Sequence, residues 1–246
     1  MSLSTTEDTS QNKTYRVWDR PTRMFHWVNL LLVLSLMFVG LIMLFKSEIG
    51  ISGLAAKIGL KELHTVIGYL FAINLIIRLV WGFIGNRFAK FADNVPKIGA
   101  IKQYQTALRA GENPQYLGHN PTGKLAVLVI MLILTVIMAT GLIRAGTDIY
   151  YPPFGAAVTQ YIAADGVDAT SIKPYDETGV DKAKLAVIKP YKSLAGTVHL
   201  YSVYFLMLLI VLHVAGVIIA ELRHQPGIIS AMFSGKKRIV GTPLDK

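Results

Sequence analysis

The sequence predicts an all-α integral membrane protein, a four-helix bundle with both termini cytoplasmic and a long periplasmic loop between helices three and four. Three observations carry this expectation. Four apolar windows are each long enough to cross the roughly 30 Å hydrocarbon core of a bilayer, which takes about 20 helical residues. The 246-residue chain is 52% hydrophobic and only 16% charged, against roughly 25% charged in an average soluble domain. Finally, Lys and Arg gather on alternate connections between the windows.

The first window is Trp27–Phe45, "WVNLLLVLSLMFVGLIMLF". The residues before it are polar and include Glu7 and Asp8, and no small-residue cleavage motif follows the apolar run. Residues 1–23 therefore read as an uncleaved cytoplasmic tail rather than a signal peptide. The second window, Leu63–Gly85, is interrupted only by Arg78; the third is Leu125–Ile143; the fourth is uncharged from Ser193 to Ala220. Backbone groups cannot go unpaired in lipid, so spans are helices or barrel strands, and runs this long and apolar are helices. The whole chain, 1–246, reads as a single transmembrane domain, with 144–192 as its periplasmic loop.

Orientation follows from charge. The N-terminal tail, the 86–124 connection and the C-terminal tail together hold fifteen Lys and Arg, net +8; the 46–62 and 144–192 connections hold nine, net +1. The positive-inside rule places the first group in the cytoplasm. The formal charge of +10 thus reads as orientation rather than nucleic-acid binding, and the basic tail "SGKKR" reads as facing anionic lipid heads. With no cysteine, disulfides, thiolate zinc sites, Fe–S clusters and covalent c-type haem are excluded.

The fourth span carries His199 and His213. Fourteen residues are close to four helical turns, so both lie on one face, about 21 Å apart along the axis. Span one enters from the cytoplasm with His26 at its start; span two enters from the other side with His64 at its start. The set closes by depth into two pairs, His26 with His213 on the inner side and His64 with His199 on the outer. Two imidazoles on facing helices suit axial ligation of a haem iron, and two pairs suit two haems. Polar glue between helices is the plain alternative. Zinc wants more ligands than two. A proton relay normally recruits Asp or Glu, and these spans have neither.

Gly40 follows His26 by fourteen residues and Arg78 follows His64 by fourteen. Gly40, Gly68, Gly141 and Gly216 each fit the close approach of a flat macrocycle and equally fit helix–helix contact. Arg78 reads as neutralising a propionate at the inner site, or as snorkelling to the interface beside Trp81. Arg23, one turn before His26, serves the same propionates or anchors the span; Arg144 is the outer counterpart. His119 and His224 read as interfacial, with a position near a quinone head group as the rival reading.

The stretches "RVWDRPTRMFHW", "LHTVIGYLFAINLIIRLVWG", "GHNPTGKLAVLVIMLILTVIMATGL" and "HVAGVIIAELRHQPGIISAMFSGKKR" resemble the bacterial di-haem cytochrome b family, which includes the b-type cytochrome subunits of membrane-bound nickel–iron hydrogenases and the bacterial cytochrome b561 proteins. The resemblance runs from Tyr15 to Arg238. It implies four transmembrane helices in the bacterial inner membrane and two non-covalent haems b with His26, His64, His199 and His213 as axial ligands. It also implies electron transfer between the quinone pool and a partner at the other face, the work of an electron-transfer subunit of a quinone-linked oxidoreductase.

The 144–192 loop is far longer than a median connection of about 4–6 residues. Its Pro and Gly content suggests turns and one short helix. It suits docking of a periplasmic redox protein of hydrogenase or cytochrome c type, or a lid over the outer haem. Self-association into a homo-oligomer is compatible with the sequence. Two other functions stand beside this one: a self-contained quinone reductase acting on a small oxidant or reductant such as superoxide, and a non-redox transporter or membrane anchor, which the absence of inverted repeats disfavours.

Overall fold

The computed structural model describes residues 12–246. Residues 1–11, including the Glu7 and Asp8 of the expected polar tail, lie outside the described residues. In chain order the elements are strand β1 (Asn12–Arg16) and helices α1 (Arg20–Leu44), α2 (Leu54–Ile84), α3 (Phe91–Asn94), α4 (Ile98–Arg109), α5 (Pro121–Asp148), α6 (Gly155–Ile162), α7 (Lys182–Ile219) and α8 (Ile228–Ser234), then strand β2 (Lys236–Val240). Four of them, α1, α2, α5 and α7 with its continuation to His224, are long and apolar enough to cross a membrane among the described residues. The protein is therefore helical in architecture, as its sequence leads one to expect.

All four long helices begin before their apolar windows, and in α1, α5 and α7 a polar cap rather than hydropathy fixes the start. Asp19 accepts from the Thr22 amide at 3.0 Å and starts α1, with Pro21 in the first turn, where a missing N–H is tolerated. Asn120 accepts from the Gly123 amide at 2.7 Å and Pro121 takes the first helical position of α5, a favoured pairing. Asp181 accepts from the amides of Ala183 (2.9 Å) and Lys184 (3.2 Å) and starts α7 eleven residues before the uncharged stretch begins. Beyond Ile219, α7 widens into a π turn, Ala220–His224, and Glu221 accepts from the Gly227 and Ile229 amides, so that α8 begins.

The chain packs as two compact units built from discontinuous segments. One holds the described residues up to His26 with Ile77–Met131 and Leu208–Lys246; the other holds Trp27–Ile76 and Leu132–Met207.

In the first unit, β1 and β2 form an antiparallel ribbon with Tyr15 opposite Lys237. This ribbon departs from the all-α expectation. Val17, Trp18, Leu117, Ala231 and Ile239 make its buried core. The left-handed backbone of Gly235, at φ 77°, closes α8 and admits the Trp18 carbonyl where a side chain could not stand. The basic tail is corrected in part. Lys236 and Arg238 are exposed as expected, but alternation turns Lys237 inward, only 4% exposed. Its Nζ donates to the carbonyls of Tyr116 (2.8 Å), Leu117 (3.2 Å) and Gly118 (3.0 Å). Asp245 holds the same loop through the Leu117 and Gly118 amides, at 2.6 and 2.9 Å.

In the second unit, the connection from α5 to α7 is shorter than the 144–192 loop of the sequence reading, because both helices extend into it. Residues 149–181 carry α6, a 3₁₀ turn at Ala169–Ser171 and a bridge between Ala163 and Val180.

Candidate functional site

Within the second unit, α2 and α7 bring His64 and His199 together. Their ring centroids are 6.3 Å apart and their planes stand at 75°. One ion gripped by both rings through metal–imidazole bonds of about 2 Å would set the centroids roughly 6 Å apart. The Nδ1 of His64 is buried without a hydrogen-bond partner. On His199, Nδ1 lies 3.1 Å from Thr140 Oγ1. That hydroxyl donates to the Val136 carbonyl at 2.7 Å, so it accepts from the ring. This geometry puts the His199 proton on Nδ1 and leaves the Nε2 lone pair for any metal the ring would hold, the arrangement that orients imidazole ligands generally.

Small residues back this pair. A Cβ on Gly141 would sit 3.3 Å from Cε1 of His199, and one on Gly40 would sit 3.7 Å from Cε1 of His64. These two glycines thus lie against the imidazoles themselves. A Cβ on Gly68 would meet nothing within 4 Å.

His64, His199 and Gly141 line a cavity of about 410 Å³ together with Lys61, Arg144 and Asp148. The volume falls inside the range of roughly 300–1,000 Å³ that ordinary cofactor pockets occupy. At its polar end Asp148, 7% exposed, gathers three cations. Lys61 Nζ donates to its Oδ2, Arg144 Nη2 donates to the same oxygen at 3.0 Å, and Lys192 Nζ reaches Oδ1 at 2.7 Å. Tyr175, from the 149–181 connection, donates to Asp148 Oδ1 at 3.0 Å and accepts from Lys61. Arg144 lines the same cavity as His64 and His199. Lys61, Asp148, Lys192 and Tyr175 were missed. The i,i+4 spacing of Arg144 and Asp148 was a visible signal; the other three come from separate segments.

The first unit holds the other two histidines of the set. His26 on α1 and His213 on α7 are within each other's electrostatic reach. Arg78 is 6% exposed, which sets aside the snorkelling reading. Its guanidinium sits between the rings of Phe25 (5.8 Å) and Phe91 (5.5 Å) and donates through Nη2 to the Ala89 carbonyl at 3.1 Å. The Nη1 atom of Arg78 is buried without a partner. Trp81 instead donates to Asp19 Oδ2 at 3.0 Å. Arg23 donates through Nη1 to the Phe233 carbonyl, tying α1 to the end of α8, and its Nε is buried and unpartnered. Gly216 is exposed, and a Cβ there meets nothing within 4 Å.

His119 is half-buried rather than exposed. Its Nδ1 pairs with Asn94 Oδ1 at 2.9 Å and its ring packs on Trp18 with centroids 4.8 Å apart. Burial first, then the positive charge of Lys237 and weaker effects of His213, Arg78 and Lys124, hold its pKa down at about 3. The neighbouring cavity is about 30 Å³, room for a water rather than a quinone ring. His224 lies in the π turn, where its carbonyl accepts from Asn113 and Gln115.

Among the described residues no group of three or more His, Asp or Glu stands together as a metal site. His64 and His199 stand together as two imidazoles. That set fits an iron whose four remaining positions are filled by a porphyrin, and the 6.3 Å spacing and the cavity beside it agree.

A family model described as prokaryotic cytochrome b561 matches residues 17–235. A probable Ni/Fe-hydrogenase B-type cytochrome subunit of Rhizobium leguminosarum bv. viciae is 21% identical over 243 residues, covering 94% of this chain and 92% of the relative. Proteins of the same description from Cupriavidus necator and, as a Ni/Fe-hydrogenase 1 subunit, from Escherichia coli (strain K12) are 27% and 26% identical. These alignments span 51% and 52% of this chain, and 56% and 59% of the relatives. No solved structure matches.

Proposed function

The chain belongs to the prokaryotic cytochrome b561 family, and from that premise we propose that it carries electrons across the bacterial inner membrane between a periplasmic redox partner and the quinone pool. It is a multi-pass membrane cytochrome of b type, and its work is electron transfer. The finer reading assigns two haems b, one held by His26 and His213 on the cytoplasmic side, the other by His64 and His199 on the periplasmic side. Both termini are cytoplasmic, the 149–181 connection is periplasmic, and the whole chain acts as one transmembrane domain. The relatives' descriptions favour a hydrogenase as the partner.

The observation that carries this reading is the His64–His199 pair, 6.3 Å apart over a cavity, with the second ring oriented by Thr140. When bound, haem b supplies a one-electron ferric–ferrous couple. The protein's residues do the rest. The four imidazoles would hold the two irons, Gly141 and Gly40 leave room for the ligand rings, and Arg78 and Arg144 would place positive charge at the two sites. Positive charge in a medium of low dielectric favours the reduced state.

The test is reduction by quinol. Purified protein in liposomes should show b-type bands that appear on adding a quinol and are reoxidised by an oxidant confined to the opposite compartment. Bands that no quinol reduces would count against the quinone link while leaving the haem sites standing.

A further inference from the structure

One feature of the His64–His199 site is unexplained by iron ligation. Lys61, Arg144 and Lys192 converge on Asp148, a single carboxylate that is 7% exposed, while their own side chains are 25%, 32% and 33% exposed. Three cations against one anion leave an excess of two positive charges. Glu62 is not among the carboxylates these cations meet; it accepts from the Tyr151 hydroxyl at 3.0 Å. Unmatched charge at the edge of a low-dielectric region is costly. Asp148 does not neutralise this group so much as assemble it, holding three flexible side chains at the end of the cavity.

We propose that Lys61, Arg144 and Lys192 form a recognition site for a pair of carboxylates on the group that enters the cavity between His64 and His199. Lys61 and Lys192 are thereby binding residues that the ligation pattern does not reveal. The inference rests on the reading of those histidines as haem ligands. Haem b carries two propionates on one edge of its ring, two negative charges for the excess of two positive ones. Charge-assisted contacts of this kind are the strong ones, and they select one orientation of an otherwise nearly symmetric disc. The cavity supports this. Lys61, Arg144 and Asp148 line it together with both imidazoles, and Lys192 reaches it through its 2.7 Å contact with Asp148. Tyr175 lies over Lys61 and Lys192, 4.8 and 5.8 Å from its ring centre, and adds a hydroxyl to the same cluster.

The same anion chemistry is available from a lipid head group or an acidic partner, and the experiment separates these sources. Full-length protein carrying His213→Ala, so that only the His64–His199 site forms a bis-imidazole complex, is prepared without haem in detergent. It is titrated with haem b and with haem b dimethyl ester, which lacks both carboxylates. The readout is the low-spin bis-imidazole spectrum and its binding curve. Haem b should bind tighter than the ester. Replacing Lys61 and Lys192 by Met should remove that preference, weakening haem b by about tenfold for each lysine and leaving the ester's affinity unchanged. Unchanged ester binding also shows that the variant is folded. The single variant Lys61→Arg should keep the preference. Equal binding of haem b and ester by the parent, or a preference that survives the double substitution, overturns the proposal and leaves the ligation intact. Failure of either porphyrin to give a bis-imidazole spectrum in the parent overturns the ligand assignment itself.

Discussion

Thr140 Oγ1 stands 3.1 Å from Nδ1 of His199 and spends its own hydrogen on the Val136 carbonyl. One hydroxyl in an apolar helix thereby selects the tautomer of an imidazole on another helix. Thr140→Val keeps the shape and removes the acceptor. It should weaken haem retention at the His64–His199 site by about 10- to 100-fold, the usual cost of losing a group behind a metal ligand. Thr140→Ser should restore most of it. Dialysis against apomyoglobin, followed in the Soret band, measures the loss; equal retention by Val and Thr would remove Thr140 from the site.

Gly141 and Gly40 should respond differently to the same added methyl. At Gly141 the new Cβ would press His199 Cε1 at 3.3 Å, whereas at Gly40 it would meet His64 Cε1 at an ordinary 3.7 Å. Gly141→Ala requires the His199 ring to give way by a few tenths of an ångström, visible as an altered low-spin EPR signal. Gly40→Ala should leave the spectrum alone. The reverse ranking would mean that the two rings sit otherwise than described.

Arg78 supplies the third test. It is buried, holds the Ala89 carbonyl and keeps Nη1 without a partner. If that atom serves the haem at His26 and His213, Arg78→Gln should lower its midpoint potential by several tens of millivolts, on a scale of about 59 mV for a tenfold change in a one-electron equilibrium. A potential that stays put, with stability reduced, would mark Arg78 as a packing residue.

The parts of the fold that the sequence made legible are those that repeat locally. Apolar runs announce helices, and fourteen-residue spacing announces two positions on one face, so the four histidines stood out. What stayed hidden was non-local or polar. Asn12–Arg16 and Lys236–Val240 pair across more than 200 residues, and neither looks like a strand by itself, because only Lys237 and Ile239 of β2 face inward. The first eleven residues of α7, Lys182 to Lys192, are too charged to be seen in a search for apolar windows, yet they bring Lys192 to Asp148. Lys237 looked like one more surface cation until alternation in a short strand turned it inside.

That burial has a consequence for pH. It pulls the Lys237 ammonium from its ordinary 10.5 down to about 8, with Asp245 opposing the change. Below the lower value both folded and unfolded chains hold the proton, and the burial penalty stands in full. Between the two values the unfolded chain binds a proton that the folded one has released, so stability rises with pH across that window, by roughly 3 kcal/mol at most. Lys237→Met should flatten the rise. Thermal unfolding of both proteins at about pH 7.5 and about pH 9.5, on either side of the folded value, decides it; parallel behaviour would exclude Lys237 as the source.

The most direct test of the whole assignment is haem content with bis-imidazole spectroscopy, measured on the purified wild type and on His64→Ala and His213→Ala. Two haems b per chain are expected in the wild type, both low-spin, with each variant losing one and keeping the other. A wild-type protein without haem after expression with ample supply, or a variant that keeps both low-spin haems, would contradict it.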